Sequence, residues 1–576
     1  MGRPTLLRPR DATERPVIPF RRGGDEVPDW PDLRVDPPDP TLVACCPGLA
    51  LLEAGLLPWR ESGAAVVVLC ASLDAAATHV PWLERCLGAP VRLSVLSPSR
   101  LAEGLREAVG RPLALRAEAL RPAAASCRSL PGGRIGVWAT VAAAALTSTA
   151  VIAPLGVLAA LAALACALLL ASAGLRLAAA VAVMRREREA PQAEVVPARL
   201  PVVSLLVPLY RETEIAGTLL ARLAALDYPR DRLDVLLVLE DDDRRTREAL
   251  AGAELPSWAR AIEVPEGTLR TKPRALNYAL PFARGSIVGI YDAEDVPQPN
   301  HLREVAAAFA AQGPEVACLQ GALDYFNHGA NWLARCFALE YASWFRVLLP
   351  GLERLGLALP LGGTTVFLRR EALDALGGWD AHNVTEDADL GILLARNGYR
   401  TAMIPIATEE EANARLWPWV RQRSRWLKGY AVTWAVHMRA PRRLWREMGP
   451  RRFLGFQLMF AGTLIQFALA PVLWTFWLVP FGFAHPLAPL LGQPILVALS
   501  ILFLAAQALD LSFAWMGARR AGKRRLALWA PMLILYYPLG TLALYRALWE
   551  VGPRPFRWDK TTHGIHLPRV VPRPLA

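Results

Sequence analysis

Between Ile135 and Leu175 the chain carries no charged residue. A bilayer span needs about 20 apolar residues, so this run is long enough for two, with Pro154-Leu155-Gly156 as the tight turn between them. Beyond Arg452 no Asp, Glu, Lys or Arg occurs until Asp510, room for two more spans broken around Pro480–Pro494. A further apolar segment, 526–549, contains Pro531, Pro538 and Arg546 and is followed at once by Glu550. A lipid-exposed central span carries such residues poorly, so this segment reads as interfacial or re-entrant, with a transmembrane segment as the alternative. These runs exclude a single water-soluble domain and leave one long polar stretch, about 200–440, enclosed between apolar ones.

The formal net charge is +12. The basic residues cluster beside the apolar segments, at Arg185-Arg186, Arg442-Arg443, Arg451-Arg452, and Arg519-Arg520 with Lys523-Arg524-Arg525. That placement marks cytoplasmic loops and anionic head groups and argues against nucleic acid as a partner. With Arg176 it predicts a multi-pass protein of a bacterial inner membrane, with 135–184 as a hairpin, 453–518 as two spans and everything between them cytoplasmic. None of the eight cysteines forms a Cys-x-x-Cys pair, so buried free thiols are expected. Residues 1–40, rich in Pro, Arg and Asp and lacking an apolar signal core, read as a disordered cytoplasmic tail.

Residues 41–125 read as a small α/β module, with strands at Ala64–Cys70 and Val91–Leu96 and helical patterns near 73–87 and 99–109. The segment Leu51-Leu-Glu-Ala-Gly-Leu-Leu-Pro58 through Val109 resembles the amino-terminal domain of type II secretion ATPases. Some members of that family bind cyclic di-GMP through an upstream helical repeat that has no counterpart here; cyclic di-GMP binding stays open, beside a plain packing or protein-contact role. In 200–440, Val202–Pro208, Val235–Glu240 and Ser286–Tyr291 read as buried strands alternating with helices. Such alternation predicts a mainly parallel α/β sheet whose ligand crevice lies off the carboxyl ends of the strands.

The polar signatures fall at those ends. They are Glu212, Asp241-Asp242, Lys272, Asp292-Ala293-Glu294, Thr385-Glu386-Asp387 and Gln422-Arg423-Ser424-Arg425-Trp426. Carboxylates hold a hard cation such as Mg²⁺ or Mn²⁺, basic groups meet a pyrophosphate, and a carboxylate accepts a proton from a hydroxyl. Those are the parts needed to move a sugar from a nucleoside diphosphate. Each signature also has a plain reading: a solvated acidic turn, a helix amino-terminal cap at Thr385, an amphipathic interface helix around Trp417, Trp419, Trp426 and Trp434.

Taken in order, they resemble the processive family 2 glycosyltransferases, the class of bacterial cellulose and hyaluronan synthases. The resemblance covers 201–440 and implies a Rossmann-like GT-A domain embedded between transmembrane helices. It implies donor contacts at Glu212, Asp241, Asp242, Lys272, Arg423 and Arg425, with Asn277 beside the phosphate. Metal ligands are implied at Asp292 and Glu294, with Asp295 as the alternative second ligand because Glu replaces the usual Asp. Asp387 is implied as the general base, and Glu386, Gln422 and Trp426 as acceptor contacts. Gly362-Gly363-Thr364-Thr365 reads either as a close backbone approach to substrate or as a turn. In the carboxyl-terminal 550–576, Trp558, Lys560, Thr561 and His563 stand where cellulose synthase carries a gating loop, or form an ordinary juxtamembrane tail. The expected activity is polymerisation of sugar from a nucleotide donor, UDP-linked in the resembling synthases, onto a growing glycan, with export and regulatory protein partners. The rivals are a transferase that glycosylates a membrane lipid once, and a catalytically silent membrane scaffold.

Overall fold

The computed structural model describes residues 33–130, 132–186, 199–212, 215–252 and 254–551. Most of the expected tail and the candidate gating residues Trp558, Lys560, Thr561 and His563 lie outside the described residues. The chain divides into two compact units. One comprises the chain up to Glu118 together with Glu240–Asp242 and Glu263–Arg270; the other comprises Ala119–Leu239, Asp243–Ile262 and the chain from Thr271.

The first unit is built on a three-stranded sheet of β1 (Leu56–Ser62), β2 (Ala65–Cys70) and β3 (Val91–Val95). β2 and β3 are the two strands read from their apolar runs, and they pair in parallel. β1 escapes that reading because it is an edge strand, buried over its first four residues and exposed over its last three. Pro58 interrupts it, and the antiparallel register to β2 shifts between Pro58 and Arg60. Residues 119–125, grouped with the module in the sequence, belong instead to the second unit. Ser126 Oγ and the Cys127 amide donate to Asp380 at 2.8 and 2.7 Å, and Arg439 donates to the carbonyls of Ala123, Ala124 and Ser126.

The larger sheet has the order β10-β8-β9-β7-β4-β5-β6. The strands are β4 (Val203–Leu209), β5 (Leu233–Glu240), β6 (Ala259–Val264), β7 (Ile287–Ile290), β8 (Val316–Tyr325), β9 (Val366–Arg369) and β10 (Arg400–Glu410). β7, β4 and β5 run parallel, as their apolar sequences suggest. The sheet as a whole is mixed, because β9 enters antiparallel to both β7 and β8. Nothing in the four residues Val366–Arg369 records that direction; the path of the chain through the preceding helices sets it. The acidic motifs leave the sheet after β5 and β7, and the Thr385 motif follows β9.

Among the described residues of the second unit, three helices are long and apolar enough to cross a membrane: Pro154–Arg185, Pro441–Leu478 and Gln493–Arg520. The helices Arg524–Tyr536 and Pro538–Val551 meet with a 48° bend, the geometry of a broken span or a re-entrant loop. The expected turn at Pro154-Leu155-Gly156 is displaced: Gly132–Ile152 and Pro154–Arg186 are both helical and only Ala153 separates them. Proline at a first helical position starts a helix without losing a needed amide, so Pro154 opens the second helix rather than turning the chain. That helix runs past Leu175 and carries Arg176 into contact with Asp510 of the Gln493–Arg520 helix. Two charges that each interrupt an apolar run thus neutralise one another between helices.

Removing one member of such a pair leaves an uncompensated charge, whereas removing both leaves apolar packing. Asp510→Leu is expected to lower the stability of the detergent-solubilised protein by on the order of 3 kcal/mol, and Arg176→Met with Asp510→Leu to recover most of it. Thermal unfolding of the parent, both single variants and the double variant measures this; additive effects would show that the pair is solvated.

Candidate active site

Lys272 opens the helix Lys272–Ala279, its side chain largely buried, and its ammonium donates to Asp292 and, at 2.8 Å, to the Gly363 carbonyl. Asp292 follows β7, where the chain turns sharply: its amide donates to Asp295 Oδ2 at 2.7 Å and its carbonyl accepts from the Asp295 amide at 3.1 Å. Thr364 Oγ1 also donates to Asp295, which is 1% exposed and has one carboxylate oxygen with no hydrogen-bond partner. Asp295 therefore shapes the turn that presents Asp292, pulled inward rather than toward the ligand side. Burial, then the charge of Asp292, holds its carboxyl well above the usual range.

Glu386 and Asp387 begin the helix Glu386–Arg396. Thr385 occupies the cap position, but its side chain makes no capping bond and instead contacts Asn383 Oδ1 at 3.4 Å. Asp387 Oδ1 accepts from the Ala388 amide at 2.8 Å, in the positive end of the helix dipole. With Lys272, Gly363, Trp379 and Leu390 these two carboxylates line one small pocket. A Cβ on Gly363 would stand 3.1 Å from Asp387 Oδ2 and 3.8 Å from Lys272 Nζ, so this loop approaches the carboxylate by its backbone. The next residues are held under strain. Thr365 has φ 55°, rare for a β-branched residue and costing about 1–3 kcal/mol, and its buried hydroxyl is fixed 2.7 Å from that of Thr408.

Electrostatically the group is short of cations. Burial pushes Glu386 up to about 7, helped by the charge of Asp387 and opposed by Lys272 and Arg425. Asp387 is also raised by burial, against the pull of the Ala388 amide, Lys272 and Arg425. Burial would lower Lys272, but Asp292, Glu386 and Asp387 hold it above its ordinary value. A further carboxylate, Glu410 at the end of β10, is raised by burial and by the charges of Asp295, Glu294 and Asp292.

Among the described residues no three His, Cys, Asp or Glu side chains converge as a ready-made metal site. Magnesium and manganese sites at phosphates need only one or two protein carboxylates, with substrate oxygens and water completing the shell. The surplus of carboxylates around Lys272, together with Asp292 and Glu294 at the mouth of the turn, fits that kind of site.

The Gln422–Trp426 motif lies on the helix Leu416–His437, and helix geometry divides it. Residues two apart face opposite sides, so Arg423 and Arg425 do not share a partner. The charge of Arg425 acts on Glu386 and Asp387. Arg423 is paired with Glu340, to which Tyr536 also donates at 2.6 Å, and its guanidinium lies over the rings of Trp419 and Trp426. The Trp426 ring also packs on Phe337 and Tyr341, with centroids 6.0 and 6.1 Å away. Gln422 accepts from Asn413 at 2.8 Å. The helix meets the Thr385 turn at Gly429, where any Cβ would fall 2.1 Å from Thr385 Oγ1.

The remaining expected contacts lie elsewhere. Asn277 clamps the Trp379 backbone, donating to its carbonyl at 2.8 Å and accepting from its amide at 2.9 Å. Glu212 follows β4, with its amide donating to Thr246 Oγ1 at 2.8 Å. Asp241 and Asp242 belong to the first unit, where Asp242 pairs with Arg270 at 2.7 Å and Asp241 accepts from the Glu266 amide at 3.3 Å.

Several residues of the site carry no local signature. Asp389, three residues into the Glu386 helix, is 1% exposed and bonded by Arg121 at 3.3 Å and His437 at 3.0 Å. Arg396 donates to His437 Nδ1 at 2.8 Å, so the ring proton sits on Nε2, facing Asp389. Burial would raise Asp389, but His437, Arg121 and Arg396 hold it below the usual range. Glu410 is one of three consecutive glutamates, and Glu340 sits in an apolar helix; only the charged positions inside otherwise buried runs hinted at either.

Residues 201–429 match the family described as "Glycosyltransferase like family 2". They form a family 2 glycosyltransferase domain. Its sheet is mixed, with β9 antiparallel to both neighbours. The chain is 31% identical over 238 residues to a beta-monoglucosyldiacylglycerol synthase of Synechocystis, covering 40% of this chain and 48% of that protein. It is 24% identical over 249 residues to probable glucomannan 4-beta-mannosyltransferase 3 of rice, covering 40% and 43%. The chain spans about half the length of the curated relatives it matches. Among solved structures, the mannosyltransferase PcManGT from Pyrobaculum calidifontis, in complex with GDP-Man and Mn²⁺, superposes with a TM-score of 0.43 at 23% identity, over 60% of this chain and 98% of that one.

The raised carboxyl of Glu386 has a consequence for stability. Its folded value near 7 exceeds the ordinary 4.5, so the folded form holds the proton more tightly. Its stabilising contribution is complete below pH 4.5 and is lost as pH rises through 7. The unfolding midpoint should fall over that window, by the equivalent of on the order of 3 kcal/mol, and Glu386→Gln should flatten the decline. Parallel curves for parent and variant would place Glu386 in solvent.

Proposed function

We propose that the chain is a membrane-bound, inverting hexosyltransferase that takes its sugar from a nucleoside diphosphate donor. The observation that carries this reading is the pocket in which Glu386, buried, and Asp387, half-buried, share space with Lys272 at a helix amino terminus. Asp387 accepts the proton of the acceptor hydroxyl as that oxygen attacks the anomeric carbon, and the bond from that carbon to the pyrophosphate oxygen breaks. Lys272 and Arg425 meet the charge that develops on the departing nucleoside diphosphate. Asp292 and Glu294 would hold a divalent cation, Mg²⁺ or Mn²⁺, which when bound adds positive charge beside that leaving group. Asp241, Asp242 and Glu212 serve the nucleoside end of the donor. Glu386, Gln422 and Trp426 are assigned to the acceptor side, and Arg423 to holding the helix through Glu340.

Polymer synthesis onto a growing glycan, with export, remains the first reading of the product because the Gln422–Trp426 motif is complete. A second reading, single transfer to a membrane lipid, has its own support. The Trp426 ring is covered by Arg423 and aromatic neighbours, and a relative is named for synthesis of a glycolipid. UDP-sugars are the first donors to test. In both readings the glycosyltransferase domain faces the cytoplasm from a multi-pass inner-membrane protein.

Asp387→Asn is expected to lower transfer by about 10²- to 10⁴-fold while donor binding persists. Turnover within a few-fold of the parent would remove Asp387 as the base. Membrane vesicles supplied with labelled UDP- and GDP-sugars should form product only with Mg²⁺ or Mn²⁺ present and not with a chelator. Sizing that product separates the two readings: long glycan supports polymerisation, and a discrete lipid-linked monosaccharide supports the second.

A further inference from the structure

The first unit joins the amino-terminal module to the two loops Glu240–Asp242 and Glu263–Arg270. The joint is specific. Glu118 closes the helix Arg111–Glu118, is 7% exposed, and spends both carboxylate oxygens on one loop. Its Oε1 accepts from the amides of Thr268 at 2.8 Å and Leu269 at 3.2 Å, and its Oε2 from the Thr268 hydroxyl at 2.5 Å. A weaker, more exposed ion pair, Arg106 to Glu263 at 3.4 Å, ties the start of the same loop to the module. The loop in turn fixes both aspartates of the Asp241-Asp242 motif: the Glu266 amide donates to Asp241, and Arg270 pairs with Asp242. Arg270 also reaches Glu266 at 3.6 Å, closing the loop on itself.

We infer that Glu118 is a positioning residue for donor binding, and that the amino-terminal module sets the shape of the loop on which the nucleotide end of the donor depends. This rests on the reading of Asp241 and Asp242 as donor contacts. A loop closed only by its own backbone carries several conformations, and a ligand that fits one of them binds more weakly by the fraction in which the loop is competent. A buried carboxylate accepting two consecutive amides and a hydroxyl removes that freedom before the ligand arrives. The module thereby acts on affinity through the loop. Whatever displaced Glu118 from the loop, a ligand or partner of the module, would loosen donor binding.

The test uses the full-length protein in nanodiscs, with UDP and GDP as probes titrated by calorimetry in the presence of Mn²⁺. Glu118→Ala is expected to weaken binding of the nucleotide that the parent prefers by about 10-fold, with the unfolding midpoint of the catalytic transition unchanged. Glu118→Gln, which keeps an acceptor for both amides and can donate to the Thr268 hydroxyl, should restore most of the affinity. Thr268→Val should weaken binding about 3-fold and add nothing in combination with Glu118→Ala. A purely structural role would lower the unfolding midpoint and would not be rescued in affinity alone. Unchanged affinity in both Glu118→Ala and Thr268→Val overturns the inference. Asp242→Asn, measured alongside, separates the two levels: if it leaves affinity unchanged while Glu118→Ala weakens it, the donor role of the aspartate falls and the control by Glu118 stands. If Asp242→Asn weakens binding and Glu118→Ala does not, the control by the module falls and the donor site stands.

Discussion

The ammonium of Lys272 is the point on which the catalytic unit balances. Asp292, Glu386 and Asp387 act on it from two different stretches of chain, and Gly363 offers its carbonyl from a third. Without that cation the carboxylates would repel one another in a setting where water cannot screen them, and the turn after β7 would part from the Glu386 helix. The price of gathering acids this way is visible in Glu386, raised to about 7, and in Asp295 and Glu410, also raised by burial and by neighbouring carboxylates. Groups so perturbed cluster where chemistry is done, because a proton acceptor must be held near the pH at which it works.

Rigidity around this balance comes from behind the site. The Glu386–Arg396 helix is fixed one turn in, where Asp389 meets Arg121 and His437, and His437 is oriented by Arg396. The Thr385 turn that opens it is met by the Leu416–His437 helix at Gly429. Arg121 stands upstream of the long apolar helices, outside the stretch 201–429 that matches the family. The Glu386–Arg396 helix therefore leans on a residue outside the stretch that matches the family.

The Gln-Arg-Ser-Arg-Trp motif shows how one short sequence serves two purposes. Arg425 looks toward the carboxylates, while Arg423 looks away, into Glu340, Tyr536 and the aromatic rings. Tyr536 lies at the bend between Arg524–Tyr536 and Pro538–Val551. The motif thus binds the catalytic pocket to the bent carboxyl-terminal pair of helices, and a change at Arg423 would reach the site through that pair rather than through the donor.

Much was legible in the chain itself. Uncharged runs fix where long helices can form, because within a single segment only a helix satisfies its own backbone hydrogen bonds in lipid, and three apolar helices among the described residues follow them. Apolar strands ending in acids placed β4, β5 and β7 and the polar motifs at their ends, since a strand buried on both faces must be continuous in character. Pairing across distance was not legible. The antiparallel entry of β9, the division of labour between Arg423 and Arg425, the inward pull on Asp295, and the buried partners Arg121, Asp389 and Glu340 are each set by residues far apart in the chain. Local sequence determines which groups are present and on which element; only the tertiary fold decides which charges are brought close enough, and dry enough, to change one another.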